Sequence, residues 1–502
     1  MLSRCAYNFA TPKVQKEPGM KFVSRGCMLM LTLTLATGAW AQWSSNPAQN
    51  LDLSNIPGAD QVQPKLLPLP NNDWYVIWFN NNPNDPPPQG YDVYYQLLSA
   101  NGVEQFQHDG VQVAKLTLSS TEDYGLAIDG SGNALLAFQD DRRNPNNPQI
   151  TAAKMSPTGQ ALWGPNGIPL TWGPASYNNP KVTVASDGYI VVGWTANNAV
   201  VLQRLNPNGL PTWIGSTAFD YGVTLQEPGY SYILADLHAA DDGSVIVSFV
   251  RNQGFGSNNY LYANKLSSSG QLMWGSGHVH VYDGGSLQFG EFPYFTYDGN
   301  GGAVFSWYTS SPLLQSYAQH ILANGTEAFG HNGSLGSTNT NDIQVEPSAS
   351  YNPITQETFL FWTEQDQLQD MSGISGQKFN SAGARQWGGS GLTITDLGTD
   401  TQDFVENVQI GAGALVFWND SPGYGSGTIQ AIKLDGTGAT VCPQFGVSTA
   451  SSDKSRLAAG IASSGLTALA WEDDRNGEND IYIQNVNADC TLGIEGTLMV
   501  RK

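Results

Sequence analysis

Two short acid–arginine runs carry the residues best suited to chemistry, Asp140-Asp141-Arg142 and Asp473-Asp474-Arg475. Arg251, Asp366 and Asp420 occupy comparable places, shortly after an apolar run ends. Three chemistries use such groups. Arginines gathered with a tyrosine and a glutamate bind a substrate carboxylate, two carboxyl groups at a set separation hydrolyse a glycosidic bond, and clustered aspartates hold calcium. Neither run has the spacing of an EF-hand loop, so calcium is the weakest of the three and no other cofactor is expected. The arginines lie far apart in the chain, and local pairing of Arg142 with Asp140 and of Arg475 with Asp473 is the simpler expectation. As exposed pairs these would contribute ~0–1 kcal/mol each. Among the histidines, His278 and His280 alternate as two ligands on one strand face would, but a third ligand is not evident. No phosphate loop, dinucleotide fingerprint, nucleophile motif or zinc spacing occurs. No catalytic residue is therefore assigned.

A repeat must position these groups. An apolar run closing on an aromatic recurs eight times, at Trp78, Phe138, Trp194, Phe249, Trp307, Trp362, Trp418 and Trp471, with gaps of 60, 56, 55, 58, 55, 56 and 53 residues. Most units continue with a short strand pattern around a polar residue, at Gln96, Gln203, Gln319, Gln377 and Gln484. A glycine turn follows (Gly102, Gly159, Gly209, Gly270, Gly325, Gly383), then a further aromatic (Phe106, Trp163, Trp213, Trp274, Phe329, Trp387). Each unit reads as four strands, the content of one propeller blade. The expected fold is all-β, a single eight-bladed β-propeller of four-stranded blades over residues 42–502, with seven blades as the alternative. Solenoid coils are shorter than this period, and a sandwich does not repeat its aromatics in register.

The ring needs closing, because an open ring exposes strand edges. Trp43 to Leu53 matches the fourth-strand pattern of Trp163 to Leu170, so an N-terminal strand is expected to complete unit eight. Thr497 to Val500 is the alternative. The acid and arginine residues then fall on loops after the second strands, and loops 80–90, 140–148, 252–259, 364–370, 420–427 and 473–479 form the expected binding surface.

Export is expected. Met20 to Arg25 is basic, Cys27 to Ala36 is apolar, and Ala39-Trp40-Ala41 is a small-x-small cleavage pattern, so residues 20–41 read as a signal peptide. Residues 1–19 precede a sound start at Met20 and read as a misplaced upstream extension. Without residues 1–41 the chain loses five of 22 basic and one of 43 acidic residues, leaving a net charge of −25. Such a chain is repelled by phosphate backbones, so nucleic acid is not an expected partner. No second apolar span follows, so membrane insertion is not expected either. Two cysteines remain, Cys442 and Cys490, with Cys490 at the turn-glycine position of unit eight. An oxidising compartment favours a disulfide between them over two free thiols.

Unit eight carries Trp471-Glu472-Asp473-Asp474-Arg475 and Asp480-Ile481-Tyr482-Ile483-Gln484, and unit two a partial copy, Phe138-Gln139-Asp140-Asp141-Arg142. This resembles the W-x-D-x-R … D-I-Y-x-Q repeat of large exported bacterial propellers, many without an assigned function. The sorting domain of that family would lie beyond Lys502, so type IX export is not expected. A weaker similarity is to sialidase-type propellers, through Ser186-Asp187-Gly188, Asp241-Asp242-Gly243 and Tyr297-Asp298-Gly299. Those segments precede the second strand rather than the fourth, and hairpin turns explain them. The expectation is a secreted, periplasmic or cell-surface recognition or scaffolding propeller with a glycan or extracellular protein partner. A sialidase-like glycan hydrolase and a purely structural surface protein are the alternatives.

Overall fold

Successive side chains of a strand leave on opposite faces, and in Trp74-Tyr75-Val76-Ile77-Trp78 both faces are covered. Trp74, Val76 and Trp78 enter one apolar cluster, while Tyr75 and Ile77 enter another. A strand buried on both sides reads as a continuous apolar run, which is why the eight landmarks do not alternate. The computed structural model describes residues 42–84, 86–87, 89–213 and 222–494. The expected upstream extension, signal peptide and C-terminal strand lie outside the described residues.

Blade 1 comprises Asp60–Pro68, Trp74–Asn81, Asp92–Leu98 and Val111–Ala114, paired antiparallel in chain order. Blades 2 to 7 repeat this plan, with first strands Gly125–Ile128, Tyr177–Val184, Ser231–Ala239, Phe295–Tyr297, Ile343–Asn352 and Thr401–Ile410. In blade 5 a two-residue strand, Ser286–Leu287, also joins the second strand, Ala303–Ser311. Blade 8 takes Lys454–Ile461, Thr467–Asp473 and Asp480–Val486 from the end of the chain and its fourth strand, Leu51–Ser54, from the beginning. Leu51 lies opposite Ile483 and Asp52 opposite Tyr482, so the N-terminal strand closes the ring. The molecule is an eight-bladed β-propeller.

Eight apolar clusters hold the blades together, one at each seam. Every closing aromatic packs toward the preceding blade: Phe138 into the cluster with blade 1, Trp194 into that with blade 2, and so on round to Trp78 against blade 8. The repeated glutamine has an equally local cause. Its side-chain carbonyl accepts the backbone N–H of the aromatic ten residues on, at 3.1 Å for Gln96 and Phe106 and 2.9 Å for Gln377 and Trp387. That aromatic lies against the turn glycine of the next blade. A Cβ at Gly102 would sit 2.5 Å from the Trp43 ring, and one at Gly325 2.8 Å from Trp274. Those turns are left-handed, with φ of 77° and 84°, so only glycine meets both demands.

Blades 7 and 8 replace this contact covalently. Cys442 stands ten residues after Ile432, where the other blades place the aromatic, and Cys490 occupies the turn at φ 69°. The two form a disulfide with Cα atoms 6.5 Å apart.

Candidate functional site

The acid–arginine runs fold into pins for their own loops. Asp140 is fully buried and accepts hydrogen bonds from Arg142 Nε at 2.8 Å and Nη2 at 2.7 Å, and from the Thr151 hydroxyl at 2.7 Å. Asp473, equally buried, accepts from Trp471 Nε1 at 2.8 Å, Ser452 Oγ at 2.6 Å and Arg475 Nε at 2.9 Å. The Arg475 guanidinium lies 3.9 Å from the Tyr482 ring, and Gln484 donates to the Ser44 carbonyl at 2.9 Å. The W-x-D-x-R … D-I-Y-x-Q pattern is thus one connected polar unit that also holds the closing strand. The expectation of exposed pairs is corrected: the carboxylates have no contact with water, so their partners matter far more than surface pairing would. Burial alone would raise Asp473, but the hydrogen bonds from Arg475 and the charge of Lys454 outweigh it and hold the carboxyl below its usual range. Arg142 and Thr151 do the same for Asp140.

The other expected site residues are engaged separately. Arg251 pairs with Glu227 at 2.7 Å and lies 3.2 Å from the Tyr230 ring. Asp366 Oδ1 accepts the Asp370 and Met371 amides at 2.8 and 3.0 Å, and Asp420 accepts from Gln402 at 3.3 Å. In the loops considered for calcium, Asp141 takes the Thr117 amide and Asp474 the Asp453 amide. Among the described residues no three histidine, cysteine or acidic side chains are grouped as metal ligands. His278 lies at φ 60° just before the strand Val279–Tyr282, hydrogen-bonded to Asn264, whereas His280 lies within it, stacked on Tyr262 at 4.2 Å. The left-handed backbone at His278, outside the strand, breaks the alternation expected of one strand face. The Asp-Gly hairpins are structural too: Asp187, Asp241 and Asp298 pair with Arg204, Lys265 and His320 of the third strands.

Convergence occurs at the axis instead. Neighbouring first strands touch all the way round, so they line the centre of the ring. Six of them carry a bulge near the end that meets the loops after the second strands. Gln63, Asn179, Glu346, Phe404 and Arg456 adopt φ between 51° and 57° there. Bulges re-aim side chains, and strained non-glycine residues concentrate where a protein acts. The residues leaving five of these bulges are Lys65, Lys181, Asp236, Ser348 and Glu406.

Four blades then meet on one carboxylate. Asp123, which precedes blade 2, accepts hydrogen bonds from Lys65 of blade 1, Lys181 of blade 3 and the Tyr294 hydroxyl at the entry to blade 5. Lys181 Nζ also lies 4.8 Å from the Tyr294 ring centre. In the adjoining blade His238 pairs with Asp236 at 2.9 Å, and Asp236 accepts the Phe295 amide at 3.1 Å. Burial works against every charge here. It lowers Lys65, whereas two ammonium groups overcome it at Asp123 and keep that carboxyl well below its usual range. Tyr294 is raised well above its ordinary value by its enclosure and by Asp123. Its side chain is nonetheless 59% exposed, because the axis admits water while protein surrounds it on every side.

The facing wall is acidic. Glu406 accepts from Ser348 Oγ at 3.1 Å, Glu346 from the Phe404 amide at 3.4 Å and Asp403 from Asn419 Nδ2 at 2.8 Å. Burial pushes Glu406 up to about 7 and Asp403 up to about 6, and raises Glu346. The mouth of the axis therefore offers ammonium and phenol groups on one side and partly protonated carboxyls on the other. Such a lining suits hydrogen bonding to a hydroxyl-rich ligand. Sequence reasoning missed it, though a signal exists: Lys65, Lys181, Asp236 and Tyr294 each stand 13 residues before their closing aromatic, and Glu406 stands 12 before its own.

No family model matches the chain, and no curated protein does. Among solved structures, the chain is similar to the Dos1 propeller, at 11% identity and a TM-score of 0.47, over 87% of this chain and 95% of that one. A protein of unknown function from Dyadobacter fermentans shares 8% identity at a TM-score of 0.41, covering 88% and 98%. A mutant NanB sialidase from Streptococcus pneumoniae shares 12% at 0.38, covering 89% and 71%. At these identities the likeness concerns the fold alone, which the sheet topology establishes independently.

Proposed function

We propose that the protein is an exported recognition or scaffolding propeller rather than an enzyme, and that it holds a glycan against its loop-bearing face around the axial mouth. One observation carries this reading: the face combines exposed rings with hydrogen-bonding groups already oriented by one another. Tyr294 is 59% and Tyr424 96% exposed, while Lys65, Lys181 and Asp123 form a preformed polar cluster beside the former. Arginines free to bind a substrate carboxylate are what a sialidase-like reading needs, and Arg142, Arg251 and Arg475 are each paired with an acid. The disulfide supports an oxidising compartment and so agrees with the signal pattern. A purely structural surface role is the limiting case in which no ligand is found.

A glycan hydrolase is the second reading, favoured by the raised carboxyls of Glu406 and Asp403, since a general acid must hold its proton near neutral pH. A glycan array run beside a chromogenic glycoside panel separates the two. Saturable binding without turnover is the expected result. Turnover that disappears in Glu406→Gln would establish the hydrolase instead.

A further inference from the structure

A cavity of about 330 Å³ opens on the loop-bearing face at the seam of blades 7 and 8, beside the axial mouth. It is lined by Asp403, Phe404, Asn419 and Tyr424, with the hydroxyls of Thr401 and Ser421. Its volume falls at the small end for ligand pockets, which suits a single sugar ring. Three features indicate what fills it. Tyr424 presents a large ring to solvent, and its loop is held in place by the Gly425 amide, which donates to Asp453 at 2.6 Å. Asn419 is 4% exposed and gives its Nδ2 to Asp403, which fixes that carboxyl in the cavity wall. The cation in the lining, Lys454, is spent: it donates to the Gly427 and Ala450 carbonyls at 3.0 and 2.6 Å and lies 3.4 Å from Asp473.

We infer that this cavity is a binding subsite for a neutral pyranose unit, stacked on Tyr424 and hydrogen-bonded through its hydroxyls to Asp403. A sugar ring fits because it has a C–H face for the electron-rich aromatic surface and hydroxyls that donate to a carboxyl. Acidic sugars are disfavoured, since the site sets Asp403 and Asp453 against them and holds its cation elsewhere. The inference rests on the glycan-recognition reading above and gives it a sugar class and a place.

The test uses the whole chain. An array bearing neutral and carboxylate-containing glycans is probed first, and the best neutral oligosaccharide is then titrated by calorimetry against wild type, Tyr424→Ala, Tyr424→Phe and Lys181→Met. Affinity is expected to fall about tenfold in Tyr424→Ala and to survive in Tyr424→Phe. Tyr424 is solvent-facing, so both variants should melt as wild type does. Undiminished neutral-glycan binding in Tyr424→Ala would overturn the subsite yet leave glycan recognition standing, with loss in Lys181→Met then pointing to the axis. A preference for acidic glycans would also overturn it. No glycan binding at all would remove both the subsite and the reading beneath it.

Discussion

Asp473 gathers an indole, a hydroxyl and a guanidinium around one carboxylate and lies 3.4 Å from the buried ammonium of Lys454. Truncating it strands two cations in the interior. Asp473→Ala should therefore cost about 3–5 kcal/mol, read by chemical denaturation, and a loss within surface-pair range would refute the anchor. The closing tryptophans allow a finer comparison. The Trp307 indole N–H has no protein acceptor among the described residues, whereas that of Trp471 donates to Asp473. Replacement by phenylalanine removes similar volume at both sites but a hydrogen bond at only one. Trp471→Phe should destabilise more than Trp307→Phe by about 1–3 kcal/mol; equal losses in paired melts would contradict this.

Between elements, the recurring device is an aromatic of one blade pressed on the turn glycine of the next. The disulfide at the last seam stands in the same place, with Cys442 for the aromatic and Cys490 for the glycine. It lies beside the blade whose fourth strand comes from the other end of the chain, where opening would begin most easily. Cys442→Ser with Cys490→Ser should cost about 2–4 kcal/mol. If the two devices are equivalent, Cys442→Trp with Cys490→Gly restores part of that stability under non-reducing conditions. A tryptophan–glycine variant no more stable than the double serine would show that the bond does something the packed contact does not.

Across the whole molecule, charge sets a pH dependence of definite sign. Burial raises Glu406 from an ordinary 4.5 to about 7 and Asp403 from 3.8 to about 6. A raised carboxyl binds its proton more tightly in the folded state, so its contribution is complete below the unfolded value and is lost as pH rises through the folded one. Asp140 and Asp473, held low, act oppositely, and their contribution is lost only in strong acid. The melting temperature should therefore fall between about pH 4 and pH 7, with a shallower slope in Glu406→Gln. An unchanged slope in that variant would show that the axial carboxyl is not enclosed as described.

The parts of this molecule legible in its sequence are those with a local or periodic cause. A run buried on both faces must be continuously apolar, so the second strands and the blade count could be read from Trp78 to Trp471. Closure by Trp43 to Leu53 followed from the same pattern, because a fourth strand looks alike wherever it sits in the chain. The acid–arginine runs were legible as local pairs, though not their burial, since Asp140 and Asp473 lose contact with water only when neighbouring strands and loops cover them. For the axial cluster the sequence carries only a near-constant offset from the closing aromatics, which does not say which of these residues meet. Asp123 and Tyr294 are 171 residues apart and meet only because the ring closes. Whether Lys65, Lys181 and Glu406 face that axis depends on bulges, and a one-residue change of register turns a side chain to the other face of its sheet. Periodicity alone therefore determined the architecture, while the convergence of side chains from separate blades, on which any function rests, was decided by the tertiary structure.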